Sequence, residues 1–250
     1  MAIFQVQYKS ESLGVETDLV VIMPRKEFID QGNVKTLYLL HGLSDNQNTW
    51  MNFTSIYRYV AYLPFAVIMP AVNRSFYRNN GRDAMYFDYI TKEIPEFVQT
   101  YFPVSKKRED TFIAGLSMGG YGALKAGLTF PENYKAVFAF SGVLDPPTSF
   151  RTQGWVFDYK SIVPTVEEFE NSEDNLYVLL EKQANRKEKP FLYVCCGTGD
   201  FLYYQQEPFV EKARELGFDV EYQTEEGTEH SWEYWDREIE KAIWKIMEMT

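Results

Sequence analysis

The sequence predicts an α/β protein: one domain over residues 1–250, built on a mainly parallel eight-stranded sheet with helices on both faces and a small cap inserted at 145–188. Three observations predict it. Short runs rich in β-branched and aromatic residues recur along the chain. Segments of helical apolar periodicity separate most of the later runs. One long irregular stretch then breaks the alternation.

The strand-like runs are "IFQVQYKS" (3–10), "TDLVVIM" (17–23), "KTLYLL" (35–40), "FAVIM" (65–69), "TFIA" (111–114), "KAVFAF" (135–140), "PFLYVC" (190–195) and "FDVEYQ" (218–223). The first two are joined by "ESLGVE", short enough for a hairpin. Between 88 and 102, Ile90, Ile94, Phe97, Val98 and Tyr101 share one helical face, and Pro95 inside that pattern predicts a kink. "YGALKAGL" continues as a helix after Ser117. "PFVEKARELG" opens on proline and stops at Gly217. Trp235, Ile239, Ala242, Ile243 and Ile246 stripe the last helix. Residues 145–188 read as a cap over the strand ends, with a plain long connection as the alternative.

Composition narrows the function. With 45% apolar and 24% charged residues in 250, the chain is an ordinary globular protein. A net charge of −11 without a basic stripe speaks against nucleic acid as a partner. No apolar run approaches the roughly 18 residues of a membrane span. The first residues lack a basic region followed by an apolar core, so a cytoplasmic protein without signal peptide is expected. Cys195 and Cys196 are adjacent within a strand-like run, too close for an unstrained disulfide. They read as two buried thiols in a reducing compartment.

Chemistry concentrates at "TFIAGLSMGGYGALKAGL", where Ser117 sits in a G-x-S-x-G pattern. Three fixed positions arise by chance in about 8% of chains this long, so the context carries the argument. The pattern follows a strand and opens a helix, as a nucleophile elbow requires. Small flanking residues suit a sharp, strained turn, and the helix N-terminus favours developing negative charge.

A serine hydroxyl needs a base, and the chain has two histidines. His230, in the loop after the last strand, is placed to reach Ser117 from the C-terminal edge of the sheet. His41, directly after an early strand, reads as part of an oxyanion-hole loop that orients backbone. The acid that orients the base should lie between 117 and 230. Asp200, in "CCGTGDFLY" at a strand's C-terminal end, fits best, and Asp145 is its rival. The backbone N–H groups of Met118 and Leu43 are the expected oxyanion donors.

Together the segments "HGLSDNQNTW", "NRSFYRN", "AGLSMGGYGALKAGL", "GTGDFLY" and "HSWEYWDREIEKAI" resemble the α/β-hydrolase superfamily, and within it the tributyrin esterase branch of the esterase D-like group, related to S-formylglutathione hydrolases and feruloyl esterases. The resemblance implies a serine carboxylesterase for short acyl chains, of acetyl or butyryl type, acting through an acyl-enzyme on Ser117 with Asp200 and His230. Feruloyl and acetyl-sugar esters are further candidates. It implies no cofactor, a small-molecule partner and a tendency to homo-oligomers. One departure stands out: two residues, Thr228 and Glu229, separate Gly227 from His230, more than is usual in the family. Trp50, Phe76 with Tyr77, Trp155 and Trp232 are positional candidates for substrate contact. An S-formylglutathione-type thioesterase and an acyltransferase on the same triad are the alternatives. No P-loop or dinucleotide pattern occurs, and two histidines with roles already leave no zinc site, so no metal is expected.

Overall fold

The computed structural model describes residues 1–81, 84–152 and 165–249. All eight predicted runs form strands: β1 (Ala2–Lys9), β2 (Glu16–Met23), β3 (Lys35–Leu40), β4 (Phe65–Pro70), β5 (Thr111–Leu116), β6 (Ala136–Phe140), β7 (Phe191–Gly197) and β8 (Val220–Glu225). They make one sheet in the order β1-β2-β4-β3-β5-β6-β7-β8. β1 and β2 form the predicted hairpin, β2 runs antiparallel to β4, and every pair from β4 to β8 is parallel.

The central strands are apolar at nearly every position because both faces of the sheet are covered. Alternate side chains then enter two different layers. Tyr38, Leu40 and Ile68 meet Ile90, Ile94, Val98 and Leu124 on one face. Leu37, Leu39 and Val67 meet Trp50, Ile56, Ile239 and Ile243 on the other. From β3 the chain goes to β4 on one side and then to β5 on the other. The loops after β3 and β5 therefore diverge and leave a crevice at the C-terminal edge, the usual ligand site of such sheets.

The predicted helix of 88–102 is built in three pieces: a turn at Tyr86–Asp88, a π-helical turn at Tyr89–Glu93, and an α-helix at Ile94–Tyr101. Pro95 has no N–H to give the preceding turn, and the backbone widens just before it. Ile90, Ile94 and Val98 are buried as expected. Tyr101 is not: it is 70% exposed and packs on Phe97 from outside, with ring centroids 4.7 Å apart.

Of residues 145–188, the described parts are the helices Pro146–Thr152, Val166–Glu170 and Leu176–Lys182. Their Phe150, Phe169, Leu176 and Leu179 join the same apolar layer as the helix Met118–Thr129. A charged contact ties them down as well: Asp174 pairs with Lys125 and with Arg78, each at 2.5 Å, and its carbonyl accepts the Tyr121 hydroxyl at 2.7 Å. Trp155 lies outside the described residues. No helix among the described residues is long and apolar enough to cross a membrane.

Candidate active site

Ser117 sits between β5 and the helix Met118–Thr129 with φ 53° and ψ −117°, a conformation that L residues seldom adopt. The surroundings hold it there. Its N–H donates to the Phe140 carbonyl at 2.9 Å, and its own carbonyl accepts from Tyr121 and Val143, each at 3.2 Å. The glycines of the motif permit the close packing. A Cβ on Gly115 would strike the Gly119 backbone, and one on Gly119 would strike the Leu40 carbonyl. Strain of this kind persists only where neighbouring structure over-determines it.

Ser117 lines a cleft of about 400 Å³ together with Gly42, Leu43, Arg74, His230 and Trp232. His230 arrives on the loop after β8. Its Nδ1 lies 2.7 Å from Asp200 Oδ2, and the Asp200 side chain is fully buried. The other carboxylate oxygen accepts the Leu202 N–H at 2.8 Å. With a carboxylate as acceptor, Nδ1 carries the proton, which leaves Nε2 with a lone pair. The ring is wedged between Phe201 and Trp235, with centroids 4.7 Å away on each side.

The histidine loop is anchored at Thr228. The Gly199 N–H donates to the Thr228 carbonyl at 3.0 Å, Thr198 Oγ1 accepts the Gly227 N–H at 2.8 Å, and Thr228 Oγ1 donates to Glu225 at 2.8 Å. Gly197 is required because a Cβ there would fall on the Thr228 carbonyl. These bonds stitch the two loops together, and His230 meets Asp200 across them. Asp145, the rival acid, is occupied elsewhere: its Oδ1 accepts the Thr148 N–H at 3.2 Å at the start of a helix.

His41 cannot serve as a base. Its Nε2 accepts the Val72 N–H at 3.0 Å, and its Nδ1 donates to the Gly42 carbonyl at 2.7 Å. Both ring nitrogens are committed to backbone groups of fixed polarity, so the ring is neutral. Burial pushes its pKa down to about 4, against the raising effect of the Gly42 bond. In a trans peptide the N–H of Leu43 points opposite to the Gly42 carbonyl that His41 holds. Among the described residues, neither Leu43 N–H nor Met118 N–H has a hydrogen-bond acceptor. The two cysteines are buried and free, and burial raises both thiols, which makes them poor nucleophiles.

Two expected substrate contacts are corrected. Trp50 is 1% exposed, with its indole N–H donating to the Leu40 carbonyl at 3.0 Å. It backs Trp232 edge-on at 5.3 Å and is not part of the cleft wall. Phe76 is fully buried against Tyr121 and Phe150, and Tyr77 is fully buried too. Trp232 does line the cleft, stacked on Phe53 at 5.2 Å. Asp45, Arg74, Phe201 and Trp235 line it as well, and sequence reasoning gave them no role there. None of the described residues of 145–188 is part of the lining.

The Esterase family model ("Putative esterase") matches residues 10–246. The chain belongs to this family. An acetyl esterase of Caldicellulosiruptor saccharolyticus is 33% identical, over 97% of each chain. Two solved Staphylococcus aureus structures share the fold and 34% identity over 98% of each chain. One is the fluorophosphonate-binding serine hydrolase FphF (TM-score 0.89) and the other the S-formylglutathione hydrolase FrmB (TM-score 0.88). The protein is thus an esterase on an α/β-hydrolase fold, and the expected class of enzyme stands.

Proposed function

We propose that this serine carboxylesterase hydrolyses short-chain acyl esters through an acyl-enzyme on Ser117, with His230 as general base and acid and Asp200 as its orienting carboxylate. The observation that carries the reading is that Ser117 and His230 line one cleft while His230 is held through Nδ1 by a buried Asp200. His230 Nε2 takes the Ser117 proton as Oγ attacks the ester carbonyl. The N–H groups of Met118 and Leu43 receive the oxyanion. The tetrahedral intermediate collapses, and the imidazolium gives its proton to the leaving alcohol. Water then repeats the cycle on the acyl-enzyme and frees the acid.

The size of the cleft suits a small ester, since about 400 Å³ lies near the lower end for ligand pockets. The acetyl esterase relative agrees with a short acyl chain. The similarity to an S-formylglutathione hydrolase favours one second reading, a thioesterase on the same three residues. The test is a panel of p-nitrophenyl acetate, butyrate and octanoate beside acetyl and formyl thioesters of glutathione, each with Ser117→Ala as control. Serine-dependent turnover that falls steeply from butyrate to octanoate supports the esterase reading. Preference for the thioesters by orders of magnitude would replace it with the second. Activity that survives Ser117→Ala would refute both.

A further inference from the structure

Arg74 is the only arginine or lysine among the described residues lining the cleft. It forms no ion pair, hydrogen bond or ring contact among them. Every other described arginine has a carboxylate, a carbonyl or an aromatic ring as partner. The contrast is sharp within one loop: Arg78, four residues on, holds Asp174 at 2.5 Å.

The loop that presents Arg74 is built at a cost. Asn73, Phe76 and Tyr77 all take positive φ, at 51°, 49° and 50°. Two of them are bulky aromatics, for which this region is strained. The loop is nevertheless fixed at several points. Val72 N–H reaches His41 at 3.0 Å, Asn73 Nδ2 reaches the Tyr86 hydroxyl at 2.7 Å, and the Tyr77 hydroxyl donates to the His41 carbonyl at 2.9 Å. Lys125 clamps the Tyr77 carbonyl at 2.9 Å. Such over-determined strain clusters at ligand sites. Here it sets a guanidinium with no partner among the described residues in the lining of the cleft that holds Ser117. Asp45 also lines the cleft, but its Oδ2 accepts the Gly42 N–H at 3.0 Å and it forms no ion pair with Arg74.

We propose that Arg74 determines specificity by binding a carboxylate on the substrate, so that the preferred esters carry an anionic group in their acyl or leaving part. This rests on the esterase reading above and adds the substrate class to it. A planar guanidinium matches a carboxylate through two parallel hydrogen bonds. The negative field of the whole protein would repel such a substrate, so a cation at the cleft is what admission of an anion requires.

The experiment compares charged and uncharged partners of equal shape. One pair places the charge in the acyl part: mono-p-nitrophenyl succinate against p-nitrophenyl butyrate. The other places it in the leaving part: para-acetoxybenzoate against its methyl ester. The ratio of kcat/KM within each pair is measured for the wild type, Arg74→Gln and Arg74→Lys. In at least one pair the charged-to-uncharged ratio should fall about five- to tenfold in Arg74→Gln, and Arg74→Lys should recover part of it. The wild-type ratio should also drop as salt is raised. Ratios equal in wild type and Arg74→Gln for both pairs would overturn the proposal while leaving the esterase reading intact. No turnover of any of the four esters by the wild type would instead overturn the esterase reading on which it rests.

Discussion

The amide of Gly199 donates to the carbonyl of Thr228 at 3.0 Å, so the loop carrying Asp200 and the loop carrying His230 are one hydrogen-bonded unit. The geometry of His230 and Asp200 depends on backbone approach, and the approach depends on the absence of a side chain at Gly197. Gly197→Ala should push the loops apart. Overpacking of this kind costs about 1–3 kcal/mol, a fall in Tm of roughly 2–4 °C for each kcal/mol in a chain of this size. Turnover should drop more than substrate affinity, because the base and its orienting acid lose alignment. Kinetics and a thermal melt of the variant check this, and an unchanged kcat would show that the stitch is not needed.

Asp200 and Asp145 make a discriminating pair. In Asp200→Asn the remaining oxygen is claimed by the Leu202 N–H and an NH2 faces His230 Nδ1, which favours the wrong tautomer, and kcat should fall on the scale of about 10⁴-fold seen for lost triad carboxylates. Asp145→Asn keeps a side-chain oxygen for the Thr148 N–H. Asparagine caps a helix about as well as aspartate, so both activity and stability should hold. Steady-state kinetics of the two variants side by side would reverse the assignment if the larger loss fell on Asp145.

His41 makes stability depend on pH. Its pKa is about 4 in the fold and 6.5 in a free chain. Between those values the unfolded chain binds a proton that the native ring refuses. The stabilisation is therefore complete above pH 6.5 and is lost as pH falls toward 4, by an amount of about 3 kcal/mol. The chain has two histidines, so imidazole NMR resolves each of them. A His41 midpoint above 6 would contradict the neutral, doubly committed ring.

Lys125 and Asp174 tie the segment after β6 to the helix that follows Ser117. Burial alone would raise the Asp174 carboxyl, but Lys125 and Arg78 overcome it and hold the group below the usual carboxylate range. Asp174→Ala leaves two cations facing each other in a largely buried site, at a cost of about 3 kcal/mol. Lys125→Met leaves Asp174 paired with Arg78 and should cost distinctly less. Urea denaturation of both variants measures the difference, and equal losses would show that the charges are not coupled.

Much of this was legible in the sequence because the same physics acts locally. Central strands covered on both faces must be apolar throughout, as β4 and β6 are, whereas the edge strands β1 and β8 mix β-branched and aromatic residues with polar ones. Ser117 was legible because its turn tolerates only small neighbours, and Asp200 and His230 because each follows a strand at the edge where Ser117 emerges. Aromatic side chains were not legible in the same way. Trp50 and Phe76 follow strands at the correct edge, yet their rings turn into the core, and that choice is set by packing across distant elements. Nothing in the sequence singled out Arg74. Only the folded chain reveals that it stands in the cleft without a partner among the described residues, and that His41 has spent both nitrogens on backbone.

The most direct measurement is mass spectrometry of the protein after reaction with a fluorophosphonate, in which the active nucleophile displaces fluoride and forms an O–P bond. One adduct per chain is expected, located on the peptide containing Ser117, strongly slowed in His230→Ala and absent in Ser117→Ala. An adduct on another residue, or labelling that persists in Ser117→Ala, would contradict Ser117 as the nucleophile.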